Sequence, residues 1–153
     1  MANIRSTTDV VEVETRVKAS PETLWAFFTE PEMMTRWKGR KAELDPRPGG
    51  AYRVEISDQV TAVGEYLELE PHSRIALTWG WEGHPAVGPG STKVEITLEP
   101  DGEETIVRLR HLELPTDERE IHADGWKHYL SRLSQAGAGQ DPGPDPNESA
   151  GQA

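Results

Sequence analysis

The stretch 122-HADGWKHYLSRL-133 sets Gly125 beside Trp126 just where an apolar periodicity begins. Ile121, Trp126, Tyr129, Leu130 and Leu133 fall near helical spacing, so one long helix is predicted from Asp117 to about Ala136. Pro115 and Thr116 open it. A glycine inside a helix costs up to about 1 kcal/mol against alanine, so a compensating contact is expected there. The expectation is that Gly125 lets the helix approach the sheet or its preceding loop closely. Trp126 would then turn into a shared interior near His111.

Upstream of this helix the pattern is mostly strands. Residues 9–18 alternate, with Val11, Val13, Thr15 and Val17 on one face. In 20-SPETLWAFFTEPEMMTRW-37, Ser20 suits an N-cap and Pro21 the first helical position, and Leu24, Phe27 and Phe28 give an apolar face. Pro31 repeats the start signal, which predicts two short helices end to end, the second reaching about Trp37. RKAELDP is short and edge-like, and Pro48-Gly49-Gly50 turns into a strand with Tyr52, Val54 and Ile56 in phase. The next strand carries Val63, Leu67 and Leu69 on one face, with Glu65 in phase. RIALTWGW alternates through Ile75, Leu77, Trp79 and Trp81, and STKVEITLEP through Thr92, Val94, Ile96 and Leu98. Asp101-Gly102 signals a hairpin into TIVRLRH, where Thr105, Val107, Leu109 and His111 share a face.

This order predicts an α+β domain: a curved antiparallel sheet of about six or seven strands wrapped around a long C-terminal helix. Such a sheet and helix bury both apolar faces and can leave a cavity between them. The domain is expected over residues 1–136. Residues 137–153, rich in Gly, Pro and small polar side chains, are expected to be a disordered acidic tail.

Composition narrows the function. The chain of 153 residues has no cysteine, hence no disulfide framework and no thiolate chemistry. Its formal charge of −11 argues against nucleic acid as a partner. Arg36, Lys38, Arg40 and Lys41 are only loosely grouped and read as a solvated surface cluster. No apolar run suits a secretory signal or a membrane span, so a soluble cytoplasmic protein is expected, monomeric or homodimeric. His122 and His128 are six apart, off the spacing of a helical metal pair, and neither a metal motif, a dinucleotide fingerprint nor a seryl elbow occurs. No metal or cofactor is expected. His72 and His84 fall in turns and read as surface residues.

Four stretches, DPRPGGAYR, GEYLELEPHSRIALTW, TIVRLRH and HADGWKHYLSRL, occur in the order found in a known family. Over roughly residues 9–135 the chain resembles the activator of heat-shock-protein-90 ATPase homologue (AHSA-like) family of the START-like, or SRPBCC, superfamily. The resemblance implies the helix-grip fold, also called birch-pollen-allergen-like. The superfamily spans lipid carriers, polyketide cyclases and aromatases, hormone receptors and chaperone activators, so the fold selects no activity. The chain resembles only the C-terminal domain of the eukaryotic activator.

With that fold, the expected function is binding of an apolar or aromatic small molecule between the sheet and the C-terminal helix. The expected lining is Trp37, Tyr52, Val54, Glu65, Leu67, Trp79, Trp81, Val94, His111, Trp126, Tyr129 and Leu130. His111 and Glu65 both lie on faces read as inward, where an ionisable group must be bonded, paired or wet. They either hydrogen-bond a ligand, serve as an acid–base pair in a polyketide cyclase or aromatase-type enzyme, or fill structural roles. A stress-response or chaperone-associated interaction module is the third reading.

Overall fold

A computed structural model describes residues 10–147. Strand β1 (Val10–Val17) is followed by helices α1 (Pro21–Thr29) and α2 (Pro31–Met34). Strands β2 (Lys41–Leu44), β3 (Ala51–Glu55), β4 (Thr61–Glu70), β5 (Arg74–Trp81), β6 (Thr92–Asp101) and β7 (Glu104–Leu112) come next. A 3-10 turn (Thr116–Glu118) leads into α3 (Arg119–Gly137). All seven strands form one antiparallel sheet in the order β1-β7-β6-β5-β4-β3-β2. The fold is the helix grip expected from the sequence.

Local chemistry explains the element ends. The Ser20 hydroxyl accepts from the Thr23 backbone N–H, and Pro21 opens α1. Pro31 opens α2, whose last turn runs on: Trp37 and Lys38 both donate their backbone N–H groups to Met34 O. Met34, Trp37 and Lys38 therefore share one face, and all three are buried. The core lies between the concave sheet face, α1 and α3, where Leu24, Phe27, Val54, Tyr66, Trp79, Leu109, Leu130 and Leu133 are among the buried side chains.

Three expectations fail. In β4 the inward residues are Ala62 and Tyr66, while Glu65 and Leu67 are exposed. A bulge between Tyr66 and Glu68 slips the register, so Leu69 faces in again opposite Ile75 while Leu67 does not. An apolar count across the bulge assigns the wrong face to everything before it. In α3 the buried stripe begins at His122, not Ile121, which is 61% exposed. Finally, residues after α3 fold back rather than trail away. Asp145 is buried, accepting from the Tyr129 hydroxyl at 2.7 Å and contacting His128 Nε2 at 3.0 Å. The Asn147 amide donates to the Tyr129 oxygen. Buried charge-assisted hydrogen bonds order a segment whose composition has no large apolar side chain to do so. The rest of the expected tail, residues 148–153, lies outside the described residues.

Candidate functional site

A cleft of about 530 Å³ opens at one end of the grip, between the β5 end, the loop after it and the amino-terminal half of α3. Trp79, Trp81, Trp126 and Tyr129 form its inner wall, and Gln59, Val60, Pro85 and Ile121 its rim. The loop after β5 is held tightly. Gly80 is crossed by the Gly88 carbonyl so closely that a Cβ would lie 1.7 Å from its oxygen. Trp81 N donates to Val87 O, and His84 Nδ1 accepts from the backbone N–H groups of Ala86 and Val87. His84, expected on the surface, thus fixes a wall of the cleft.

Gly125 also lines the cleft, and a Cβ built on it meets nothing within 4 Å. The expected close approach is therefore absent there. It occurs at Gly137, where a Cβ would lie 2.6 Å from Val17 Cγ1. Gly125 instead leaves open space above the wall of rings.

Beneath the cleft the aromatic groups form two hydrogen-bonded chains that meet through ring contacts. Trp126 Nε1 donates to His111 Nδ1 at 2.9 Å. The Thr92 hydroxyl donates to Trp79 O, so its oxygen accepts from His111 Nε2–H at 2.8 Å. His111 is thereby a neutral Nε2–H imidazole with both nitrogens used. Burial first, then the proximity of His122 and Lys38, pushes it down to about 3. Trp81 Nε1 donates to His122 Nε2 at 2.9 Å, and His122 Nδ1 donates to Glu118 O at 2.7 Å. His122 is the opposite tautomer, also lowered by burial. Glu118 stands between His122 and His84, 3.7 and 3.9 Å from their nearer nitrogens.

Lys38 forms the floor of the cleft. Its Nζ lies 4.6 Å from the Trp126 ring centroid, 4.8 Å from Tyr129, 5.6 Å from Trp79 and 5.8 Å from Trp81. Only 2% of the residue is exposed, and burial pushes its amine down to about 7 against the partial opposition of Asp145. Lys38 does not belong to a solvated surface cluster. Its signal in the sequence was the spacing Met34, Trp37, Lys38, which continues a helical face past the end of α2.

The residues expected to line a cavity divide three ways. Trp79, Trp81, Trp126 and Tyr129 border the cleft. Trp37, Tyr52, Val54, Val94, His111 and Leu130 lie in the filled interior. The void among Trp37, Tyr52, Trp79, Val94 and Trp126 measures only about 10 Å³, room for one water at most. Glu65 and Leu67 are on the other face of the sheet, so Glu65 does not meet His111. Lys38, Gln59, His84, Glu118, His122 and Gly125 are among the residues that border the site without being expected in it. Among the described residues, no cluster of acids and histidines suits a metal, and no helix is long and apolar enough to cross a membrane.

Comparison with known proteins places this geometry in a family. The chain is 29% identical over 110 residues to the mouse activator of 90 kDa heat shock protein ATPase homolog 1, a match covering 72% of this chain and 31% of that protein. The chain thus spans about 31% of that curated relative's length. Among solved structures, an AHSA1-like protein from Rhizobium etli is 44% identical, with a TM-score of 0.72 covering 90% of this chain and 86% of that one. DynU16, a putative protein in the dynemicin biosynthetic locus, superposes with a TM-score of 0.77 at 26% identity, covering 90% of this chain and 50% of that one. The profile of the family described as Activator of Hsp90 ATPase homolog 1-like protein matches residues 18–138, and to that family the chain belongs.

Proposed function

We propose that the chain is a small-molecule binding module whose ligand places an aromatic or apolar body in the cleft beside Trp79, Trp81, Trp126 and Tyr129. The observation that carries this reading is Gly125. A helix-interior glycine with no neighbour crowding its Cβ position forgoes stability that alanine would supply, and its effect is to keep the cleft open. The volume of about 530 Å³ lies within the range of small-ligand sites. The exposed Ile121 at the rim adds apolar surface.

Binding is favoured over acid–base catalysis of the cyclase or aromatase type by His111 and Glu65. One has both ring nitrogens engaged and the other lies across the sheet. The chaperone-associated reading has its support in the relatives' names alone.

Phenylnaphthylamine, a neutral aromatic probe, is expected to bind saturably and to shift the indole N–H resonances of Trp81 and Trp126. Gly125→Leu, which fills the cleft, is expected to abolish both effects. Saturable binding that survives this substitution, or no binding, overturns the reading.

A further inference from the structure

Lys38 is a buried cation that the fold leaves without a counter-ion. No carboxylate of the described residues pairs with it directly. Asp145, the acid that raises its proton affinity, acts through space, its oxygens engaged by Tyr129 and His128. Four ring faces within 6 Å compensate part of the lost hydration. Ring quadrupoles do not neutralise a charge, so a lysine held in an apolar site either gives up its proton or keeps it by meeting an anion. The remaining side of the ammonium is the cleft itself, which Lys38 lines.

We propose that the cleft takes an aromatic monoanion, an arene carrying one carboxylate or comparable acidic oxygen group, with the acid seated on Lys38 Nζ and the ring against Trp81 and Trp126. The proposal rests on the cleft being a ligand site and adds the charge of the ligand. The other ionisable groups around Lys38 do not supply that charge. His111 on β7 and His122 on α3 are neutral and fully bonded. Glu82 pairs with Arg53, and Glu118 stands beside His84 and His122. Of these cleft groups, Lys38 is the cation free to meet an anion.

The ligand's charge sets the pH dependence. Lys38 titrates near 7, so an anion that requires the ammonium must bring a proton with it at higher pH. Affinity then falls by about tenfold per pH unit above about pH 7, until the pKa of the occupied site is reached. A neutral ligand of the same shape shows no such fall.

The experiment titrates the full chain from about pH 7 to about pH 9 with anilinonaphthalene sulfonate, whose sulfonate stays ionised throughout, and with neutral phenylnaphthylamine. Expected is a sulfonate affinity that drops steeply with pH beside a flat profile for the neutral probe. Lys38→Met keeps the volume and removes the charge. It is expected to weaken the sulfonate by at least about tenfold and to flatten its pH profile, while the neutral probe loses far less affinity than the sulfonate does. Gly125→Leu is expected to exclude both probes, locating them in the cleft. Equal pH profiles for the two probes, or full sulfonate affinity in Lys38→Met, overturns the proposal while the cleft remains a ligand site. Failure of both probes to bind overturns the cleft reading and this proposal together.

Discussion

The Lys38 ammonium lies 4.6 Å from the ring centroid of Trp126, nearer than to the three other rings around it. The pairing joins the last turn of α2 to α3 across the mouth of the grip, and burial of the ammonium, which the rings only partly offset, costs stability when Lys38 is charged. The unfolded lysine titrates at its ordinary 10.5 and the folded one at about 7. Between those values the unfolded chain holds a proton that the folded chain lacks, so stability rises with pH across that window. Below about pH 7 the full cost applies, and above about 10.5 it vanishes, roughly 4 kcal/mol at neutral pH. Lys38→Met is therefore expected to be more stable than the parent at pH 7, with the difference shrinking toward pH 10. Urea unfolding at several pH values measures it, and a pH-independent difference would refute the assignment.

His111 predicts the behaviour on the acid side. Its folded pKa of about 3 lies below the ordinary 6.5, so stability present above 6.5 is lost as pH falls toward 3. Protonation must also break the hydrogen bond from Trp126 Nε1. Nitrogen NMR of the imidazoles is expected to show a neutral Nε2–H tautomer for His111 at pH 5 and an Nδ1–H tautomer for His122 at pH 7. Trp126→Phe strands a buried acceptor and is expected to cost about 1–3 kcal/mol in unfolding measurements.

His111 shows where sequence periodicity suffices, and His122 and Lys38 show where it does not. Alternation in TIVRLRH sets His111 on the inward face, and the structure places it there, fully buried. The same logic fails for Glu65 because a bulge consumes one residue, and no local signal marks Leu67 as that residue. The helix stripe was legible from Trp126 onward. Its first member was read as Ile121 because hydropathy outranks spacing, although His122, Trp126, Tyr129, Leu130 and Leu133 keep the helical period more closely. Lys38 was hidden for the same reason. A lysine between Trp37 and Gly39 reads as solvent-facing until four rings from two distant elements are brought over it, and that is a property of tertiary structure.

Gly125 and Gly137 should respond oppositely to one methyl group. Gly125→Ala adds helix propensity into open space and is expected to raise stability by about 0.5–1 kcal/mol. Gly137→Ala drives a Cβ against Val17 and Leu24 and is expected to lower it by about 1–3 kcal/mol. Thermal unfolding of the two variants separates a glycine kept for space above the cleft from one kept for packing. A destabilised Gly125→Ala would remove the argument that this position is open.

Asp145 links the segment after α3 to the cleft floor. Burial opposes its ionisation, but hydrogen bonds from Tyr129 and His128 hold its carboxyl below the usual range. Its charge in turn raises the proton affinity of Lys38. Asp145→Asn keeps the side-chain shape and removes that charge, so the Lys38 amine is expected to titrate below about 7 in this variant. Carbon NMR of a lysine-labelled sample, with Lys38 assigned through Lys38→Met, reads the shift directly. The same substitution is expected to weaken closure of the 140–147 segment over Tyr129, seen as faster amide exchange at Asn147. An unmoved Lys38 titration would mean that Asp145 is too well screened to act on it, and that the amine owes its protonation near neutrality to the aromatic rings alone.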